Sequence, residues 1–209
     1  MSIQNEYETN EENKIYIIGG KGVGKTSFFH LIFENKFIDD LPPSKPGIIK
    51  SEYIKRKVKF TIKDLSDDKT FQKTNILKDE LEDVILIFVM FALNDKSSFE
   101  YAKNLVQFIK NNILNNKDLN IILLGNKYDL KYSNKEDIKV LKKEISQYIY
   151  KIDHLYYYDI SCKDGHNIKE VKKIIDEIDE GDNGNKDDLA DEENLEVPTR
   201  KEGRSCLIN

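Results

Sequence analysis

Short apolar runs alternate along the chain with segments whose apolar positions recur at helical spacing. The runs Val84–Phe91 and Ile121–Leu124 are continuously apolar, as expected for strands that are buried on both faces of a parallel sheet. Residues 48–65 contain two strand-like runs in direct succession, which predicts a hairpin. The predicted strands are Lys14–Ile18, Ile48–Lys55, Val58–Leu65, Val84–Phe91, Ile121–Asn126 and Leu155–Asp159.

Helix-like segments separate most of these strands. The alternation predicts an α/β fold: a six-stranded, mostly parallel sheet with helices on both faces and one antiparallel edge strand contributed by the hairpin. An open sheet of this kind binds its ligand at the carboxyl ends of its strands. The predicted helices are Lys25–Glu34, Thr70–Glu80, Ser97–Asn111, Lys135–Tyr150 and Asn167–Glu180.

The same pattern divides the chain of 209 residues into three parts. Residues 14–180 carry the predicted elements and are long enough for one well-cored domain. Residues 1–13 are polar and acidic, which predicts a disordered extension. Periodicity ends at Gly181, and Asp and Glu dominate as far as Glu196. Residues 181–209 are therefore predicted to form a flexible acidic tail.

Composition narrows the possible partners. The formal net charge of −5 provides no basic field for nucleic acid, so no nucleic-acid partner is expected. No apolar run approaches the ~20 residues that a membrane-spanning helix needs. The N-terminus is unlike a signal peptide, and Cys162 and Cys206 do not suggest a disulfide framework. An intracellular protein is the natural interpretation.

The most informative motif is G-x-x-x-x-G-K-T at residues 19–26, between the first predicted strand and the first predicted helix. In that context the motif is typical of a phosphate-binding P-loop and predicts the P-loop NTPase form of the α/β fold. Its glycines allow successive backbone N–H groups to face a phosphate chain, and the helix N-terminus adds a positive dipole. Lys25 is expected to supply charge to the phosphates, and Thr26 a hydroxyl to Mg²⁺. The alternative is a glycine-rich loop with an incidental lysine.

Two further motifs follow later strands. The sequence Asn126-Lys127-Tyr128-Asp129 comes directly after the run Ile121–Gly125. A carboxylate at Asp129 can accept two parallel hydrogen bonds from guanine, which adenine cannot offer. Ser161-Cys162-Lys163 comes after the last predicted strand. A polar loop after a strand is common, so these motifs gain meaning only from their place at one edge of the sheet.

The P-loop, N-K-x-D and S-x-K motifs in this order resemble the small GTPases of the Ras/Rab superfamily, over about residues 14–180. The resemblance implies binding of GDP and GTP with Mg²⁺, and a conformational switch recognised by effector proteins, an exchange factor and a GTPase-activating protein. Thr26, Ser44 and the outer-shell Asp64 correspond to the magnesium site. The nucleotide-binding positions implied by the resemblance are Gly20, Lys21, Gly22, Val23, Gly24, Lys25, Thr26, Ser27, Phe37, Asn126, Lys127, Asp129, Leu130, Ser161, Cys162 and Lys163.

The chain departs from this family after the third strand, where D-x-x-G-Q is expected and Asp64-Leu65-Ser66-Asp67-Asp68 stands. Asp67 replaces the glycine that meets the γ-phosphate, and Asp68 replaces the glutamine that positions the attacking water. Lys21 stands where the family usually has a small residue. These replacements predict that any GTPase activity is weak and leave no confident catalytic residue, although Asp68 occupies the water-positioning place.

The last four residues, Cys206-Leu207-Ile208-Asn209, fit a C-a-a-X prenylation motif. A terminal cysteine can also occur by chance. With prenylation at Cys206, we expect reversible attachment to a cytoplasmic membrane face, because one prenyl chain is a weak anchor.

The leading hypothesis is therefore a membrane-associated switch in signalling or vesicle trafficking, with slow or absent hydrolysis. A binding module that keeps nucleotide as a structural ligand and no longer cycles is the alternative. An ATP-using P-loop enzyme is disfavoured by Asp129.

Overall fold

The apolar runs of the sequence form the strands of one sheet. The computed structural model describes residues 13–38, 52–55, 58–62, 84–112, 119–133 and 139–180. The strands are β1 (Asn13–Gly19), β2 (Glu52–Lys55), β3 (Val58–Ile62), β4 (Val84–Ala92), β5 (Asn120–Asn126) and β6 (Leu155–Asp159). The helices are α1 (Lys25–Glu34), α2 (Lys96–Asn112), α3 (Leu130–Ser133), α4 (Lys142–Ile149) and α5 (Ile168–Glu180).

The strand order in the sheet is β2-β3-β1-β4-β5-β6. β1 pairs in parallel with β3 and β4, parallel pairing continues through β5 to β6, and β2 pairs antiparallel with β3. The predicted α/β architecture with a parallel sheet and helices is confirmed. Gly19 pairs with Met90, Asn126 with Ala92, and Asp159 with Gly125. The carboxyl ends of β1, β5 and β6 therefore lie along one edge of the sheet.

β4 is buried along its length apart from the half-buried Ile85, because helices cover both faces of the sheet around it. Successive side chains of a strand point to opposite faces, so β4 contributes to two separate apolar cores. On one face Phe88 packs edge-on against Phe28 of α1, with ring centroids 5.6 Å apart. On the other face Phe91 packs against Phe99 of α2, with centroids 4.8 Å apart. The continuous apolar run in the sequence reflects this double burial.

The predicted helix Lys135–Tyr150 is wrong at its start, because residues 139–141 are not helical and α4 begins at Lys142. The backbone N–H groups of Lys139 and Val140 both donate to the carbonyl oxygen of Leu93, at 2.9 and 3.0 Å. These bonds hold the segment extended beside the end of β4. Leu141 then precedes the helix with extended angles, and its N–H donates to Oε2 of Glu144 at 3.2 Å.

The short helix α3 was absent from the predicted elements. The predicted helix Thr70–Glu80 and the outer parts of the predicted hairpin, residues 48–51 and 63–65, lie outside the described residues. Of the helices in the described ranges, none combines the length and apolar character needed to cross a membrane.

Candidate nucleotide-binding site

The loop between β1 and α1 has the backbone geometry that its glycines were expected to allow. Gly22 and Gly24 have φ angles of 74° and 100°, a region that is costly for other residues. A Cβ atom on Gly24 would lie 2.2 Å from Nδ2 of Asn126. Glycine is therefore required at this position both by the backbone and by the side chain that packs over it.

Lys25 is folded back across this loop. Its side chain is 5% exposed, and Nζ donates to the carbonyl oxygens of Gly19 at 2.9 Å and Gly20 at 2.6 Å. A buried ammonium group is costly unless carbonyl dipoles or a counter-charge compensate it. The loop thus holds a positive charge at the start of α1, where a helix N-terminus also favours an anion. This arrangement fits a bound phosphate group.

The other predicted residues of this loop differ in exposure. Val23 is buried in the apolar core beneath the loop, whereas Lys21 is exposed at the turn. Thr26 and Ser27 are half-buried in the first turn of α1. Within the described residues there is no cluster of three His, Cys, Asp or Glu side chains that could hold a metal ion. The hydroxyl of Thr26 fits a magnesium ligand, and the other two predicted ligands, Ser44 and Asp64, lie outside the described residues.

Asn126, at the end of β5, connects this loop to the loop after β6. Its Nδ2 donates to the carbonyl oxygen of Val23 at 2.9 Å, and its Oδ1 accepts from the N–H of Cys162 at 3.1 Å. The side chain is 3% exposed, so both bonds are shielded from water. Loss of either bond would leave a buried polar group unpaired, which costs about 1–3 kcal/mol. Asn126 therefore fixes the spacing between the two loops.

Asp129 is the residue of the N-K-x-D motif that contacts the loop after β6. The hydroxyl of Ser161 donates to Oδ1 of Asp129 at 2.9 Å, and the same Oγ accepts from the N–H of Asp164 at 3.2 Å. Ser161 is completely buried, whereas Asp129 is half-buried. A carboxylate has about four lone-pair sites, so this bond leaves Asp129 further acceptor capacity. The carboxylate is held in place and can still accept hydrogen bonds.

The remaining predicted residues of this edge differ in exposure. Lys127 is half-buried and has a φ of 70°, an uncommon backbone state for a non-glycine residue. Leu130 is half-buried at the start of α3, and Lys163 is exposed. Cys162 is buried, and burial raises the pKa of its thiol to about 12. The Cys162 thiol is consequently neutral and unreactive at physiological pH.

The structure also shows a stacked pair that the sequence prediction missed. The ring of Tyr128 lies flat against His166, with centroids 4.2 Å apart and planes 6° apart. Nζ of Lys131 donates to Oη of Tyr128 at 2.7 Å. The stack joins the N-K-x-D loop to the end of the S-x-K loop. The only sequence signals were an aromatic residue at the variable motif position and a histidine five residues after Ser161.

The predicted residues outside these two loops fall into two groups. Phe37 is half-buried against the apolar core on the α1 and α5 side of the sheet, and its packing beside a base stays a prediction. Asp67, Asp68 and Cys206 lie outside the described residues, as do the two magnesium positions named above.

The fold and this edge are those of a P-loop protein, in which the loops that follow three parallel strands meet. Residues 14–180 match the family model described as Ras family. The chain is 27% identical over 166 residues to the Ras-related protein R-Ras of Rattus norvegicus, and to that of Mus musculus, covering 77% of this chain and 71% of each relative. Because the family model matches most of the chain, the protein belongs to the Ras family of small GTPases. Members of this family bind guanine nucleotides, generally with Mg²⁺.

The close packing of Gly24 against Asn126 gives a prediction for Gly24→Ala. The added Cβ would displace the Asn126 amide and break its bond to Val23, in addition to straining the backbone at φ 100°. Gly165→Ala is the matched control, because Gly165 has a φ of 82° but nothing within 4 Å of an added Cβ. We expect Gly24→Ala to lower the free energy of unfolding by about 1–3 kcal/mol more than Gly165→Ala, from the lost buried hydrogen bond.

Urea denaturation of both variants and the wild type, under identical conditions without added nucleotide, measures this difference. Equal losses in the two variants would show that backbone strain alone explains the need for glycine, and that the bond from Asn126 contributes nothing.

Proposed function

We propose that this protein binds a guanine nucleotide at the carboxyl edge of its sheet and acts as a switch whose intrinsic GTP hydrolysis is slow or absent. The observation that carries the proposal is the Asn126 bridge, which holds the P-loop and the Ser161 loop in one arrangement. The loops proposed to bind the phosphates and the base are thus joined by contacts of the chain itself. Family membership supports the same class of ligand.

On the phosphate side, Lys25 and the backbone N–H groups of residues 20–26 would hold the β- and γ-phosphates. The buried ammonium group of Lys25 supports this assignment, because its bonds to the carbonyl oxygens of Gly19 and Gly20 hold a positive charge within the loop. Thr26, with Ser44 and Asp64, would hold Mg²⁺. When bound, the ion would neutralise negative charge on the phosphates.

On the base side, Asp129 would accept hydrogen bonds from N1–H and the exocyclic amine of guanine. The bond from Ser161 fixes the carboxylate and leaves acceptor sites for both donors. Adenine carries an unprotonated N1 and has no amine at C2, so it would leave the remaining acceptor sites of this half-buried carboxylate unfilled. A site of this kind discriminates strongly, by about 10⁴–10⁵ where a built hydrogen bond is lost.

Weak hydrolysis is inferred from the sequence after β3. A carboxylate at Asp67 about 6 Å from a γ-phosphate charge would be unfavourable by roughly 3 kcal/mol at an effective dielectric of about 20, before rotation toward water. Asp68 is shorter than glutamine and offers no amide donor to the transition state. Lys21, exposed at the turn of the P-loop, would obstruct the attacking water or an incoming arginine, or would itself contribute charge.

A second candidate is a module that binds nucleotide permanently and does not cycle. It is favoured by the same two replacements, Asp67 and Asp68, because they affect the γ-phosphate and leave the base and magnesium positions intact. The two candidates differ in their response to GTP. A switch binds GDP and GTP with similar affinity, whereas a permanent module excludes GTP or does not exchange it.

We expect the purified protein to bind GTP in preference to ATP but to show almost no hydrolysis in a single-turnover assay. The variant Asp67→Gly with Asp68→Gln should hydrolyse GTP measurably faster, because it restores close backbone approach and an amide donor. The matched control is Asp187→Gly with Asp188→Gln, which makes the same change in the tail. Brisk hydrolysis by the wild type would contradict the proposal, as would preference for ATP.

Membrane attachment through prenylation of Cys206 is also proposed, and recognition by effector proteins, an exchange factor and a GTPase-activating protein would follow from family membership. The support is the terminal Cys206-Leu207-Ile208-Asn209 sequence and the basic residues Arg200, Lys201 and Arg204 before it. Mass spectrometry of protein from its native cell should show a prenyl group on Cys206, and Cys206→Ser should abolish membrane association. An unmodified cysteine in membrane-bound protein would refute this mode of attachment.

A further inference from the structure

A surface pocket of about 210 Å³ lies on the α2 and α4 side of the sheet, beside the N-K-x-D loop. Its base is apolar, and its outer wall includes Tyr128, Lys131, Lys142 and Asp159. An engineered apolar cavity of about 150 Å³ holds benzene, so this pocket has room for one leucine side chain. The residues of its base are Leu93, Val140, Ile145 and Tyr157.

The pocket is held open by contacts of the fold itself. The hydrogen bonds from Lys139 and Val140 to Leu93 fix one wall. Tyr157 forms the floor, and its Oη lies so close to Gly125 that an added Cβ there would be 2.7 Å away. Burial raises the pKa of Tyr157 well above its usual value, so the phenol is a neutral donor. The described part of the chain provides no hydrogen-bond acceptor for it.

The rim of the pocket combines exposed apolar and basic side chains. Tyr132 is 74% exposed and Leu141 is 59% exposed, and each adjoins a lining residue of the pocket in sequence. Two acidic groups of this region are already engaged: Glu144 pairs with Lys96 at 2.7 Å, and Asp159 accepts from Nδ2 of Asn167 at 3.0 Å. In sequence, residues 131–143 contain five lysines against Glu136 and Asp137. The rim lysines, all exposed, are Lys131 and Lys142, which line the pocket, and Lys139 and Lys143, which adjoin lining residues in sequence.

The tail of the same chain has the complementary composition. Residues 187–196 contain six acidic residues and no basic ones, and the acids flank the apolar residues Leu189 and Leu195. Elsewhere the tail is mixed in charge, with Lys186 before this segment and Arg200 after it. A run of acids around leucines matches a ring of lysines around an apolar pocket.

The chain is also long enough to make this contact. α5 begins beside the Ser161 loop, and its 13 residues carry the chain about 20 Å away. From Glu180 to Leu195 there are 15 residues, which span up to about 50 Å when extended. α5 packs on the opposite face of the sheet from the pocket. Because β6 is the edge strand, the chain after α5 could reach the pocket by passing around β6 alone.

We propose that residues 187–196 dock on this pocket, with a leucine in the apolar base and the acids against the rim lysines. Exposed ion pairs stabilise a contact only slightly, so the contact would be weak between separate molecules. A tether of this length gives an effective concentration in the millimolar range, which makes a weak contact sufficient. The proposed contact does not require a bound nucleotide.

Paramagnetic broadening in the full-length, ¹⁵N-labelled chain tests the proposal. A nitroxide is attached at Thr199→Cys in a Cys206→Ser background, just outside the proposed segment. The remaining thiol, Cys162, is buried and neutral and does not compete for the reagent. We expect the amide signals of Leu93, Val140 and Ile145 to lose most of their intensity, compared with the same sample after the nitroxide has been reduced. Signals of Phe29 and Ile32, on the other face, should not change.

Two pairs of variants separate docking from random collisions. Lys139→Glu with Lys143→Glu should restore the lost intensity, whereas the control Lys169→Glu with Lys173→Glu, at exposed positions of α5, should not. Leu189→Ser with Leu195→Ser should also restore it, and Leu207→Ser should not. Raising the salt from about 0.1 to 1 M shortens the Debye length from about 10 to 3 Å, so the broadening should weaken.

Three results would overturn the proposal. The first is no selective broadening in the parent protein, which would mean that the tail does not dock. The second is equal behaviour of a variant pair and its control. The third concerns a mixture of two samples: spin-labelled chains without ¹⁵N, and ¹⁵N-labelled chains without a spin label. Broadening in this mixture would show that the tail of a second copy occupies the pocket. The tail variants change no residue of the folded domain, so they still test the proposal if a rim variant fails to fold.

Discussion

The side-chain amide of Asn126 holds together the loops at the carboxyl edge of the sheet. It joins a loop 103 residues earlier in the sequence to one 36 residues later, through Val23 and Cys162. Both bonds are buried, so neither can be exchanged for water without cost. The bridge also explains Gly24, because any side chain there would occupy the position of the Asn126 amide. The loop after β1 and the loop after β6 are therefore parts of one connected structure.

The sheet places Asn126 where this contact is possible. β1, β4, β5 and β6 run parallel, so the loops that follow β1, β5 and β6 emerge at the same edge. β4 supplies the rigid centre, with one apolar core on each face. A polar bridge between two loops is stable here because the strands beneath it cannot shift independently. The departures from the family pattern, Asp67 and Asp68, lie outside the described residues.

Sequence reasoning predicted the parts of this structure that follow from periodicity and motif chemistry. The bounds of α1 agree with the predicted Lys25–Glu34, and the strand from Val84 was recognised from its unbroken apolar run. The motif residues Lys25, Asn126 and Asp129 lie at the predicted edge. The features that the sequence predictions missed depend on contacts between distant residues. Hydrogen bonds to Leu93 keep residues 139–141 out of the helix that their pattern favours, and nothing local in the sequence encodes those bonds. The Tyr128–His166 stack and the pocket floored by Tyr157 likewise arise only when β5 and β6 are side by side.

We infer that the site at the carboxyl edge of the sheet selects guanine over adenine, with Asp129 as the selective group. Equilibrium competition between GDP and ADP for the wild type and for Asp129→Ala tests it most directly. The account predicts that the wild type prefers GDP by about 10⁴-fold, and that Asp129→Ala loses at least about 100-fold of that preference, because two hydrogen bonds to a charged group are removed. Comparable affinities for GDP and ADP in the wild type, or an unchanged preference in Asp129→Ala, would contradict it.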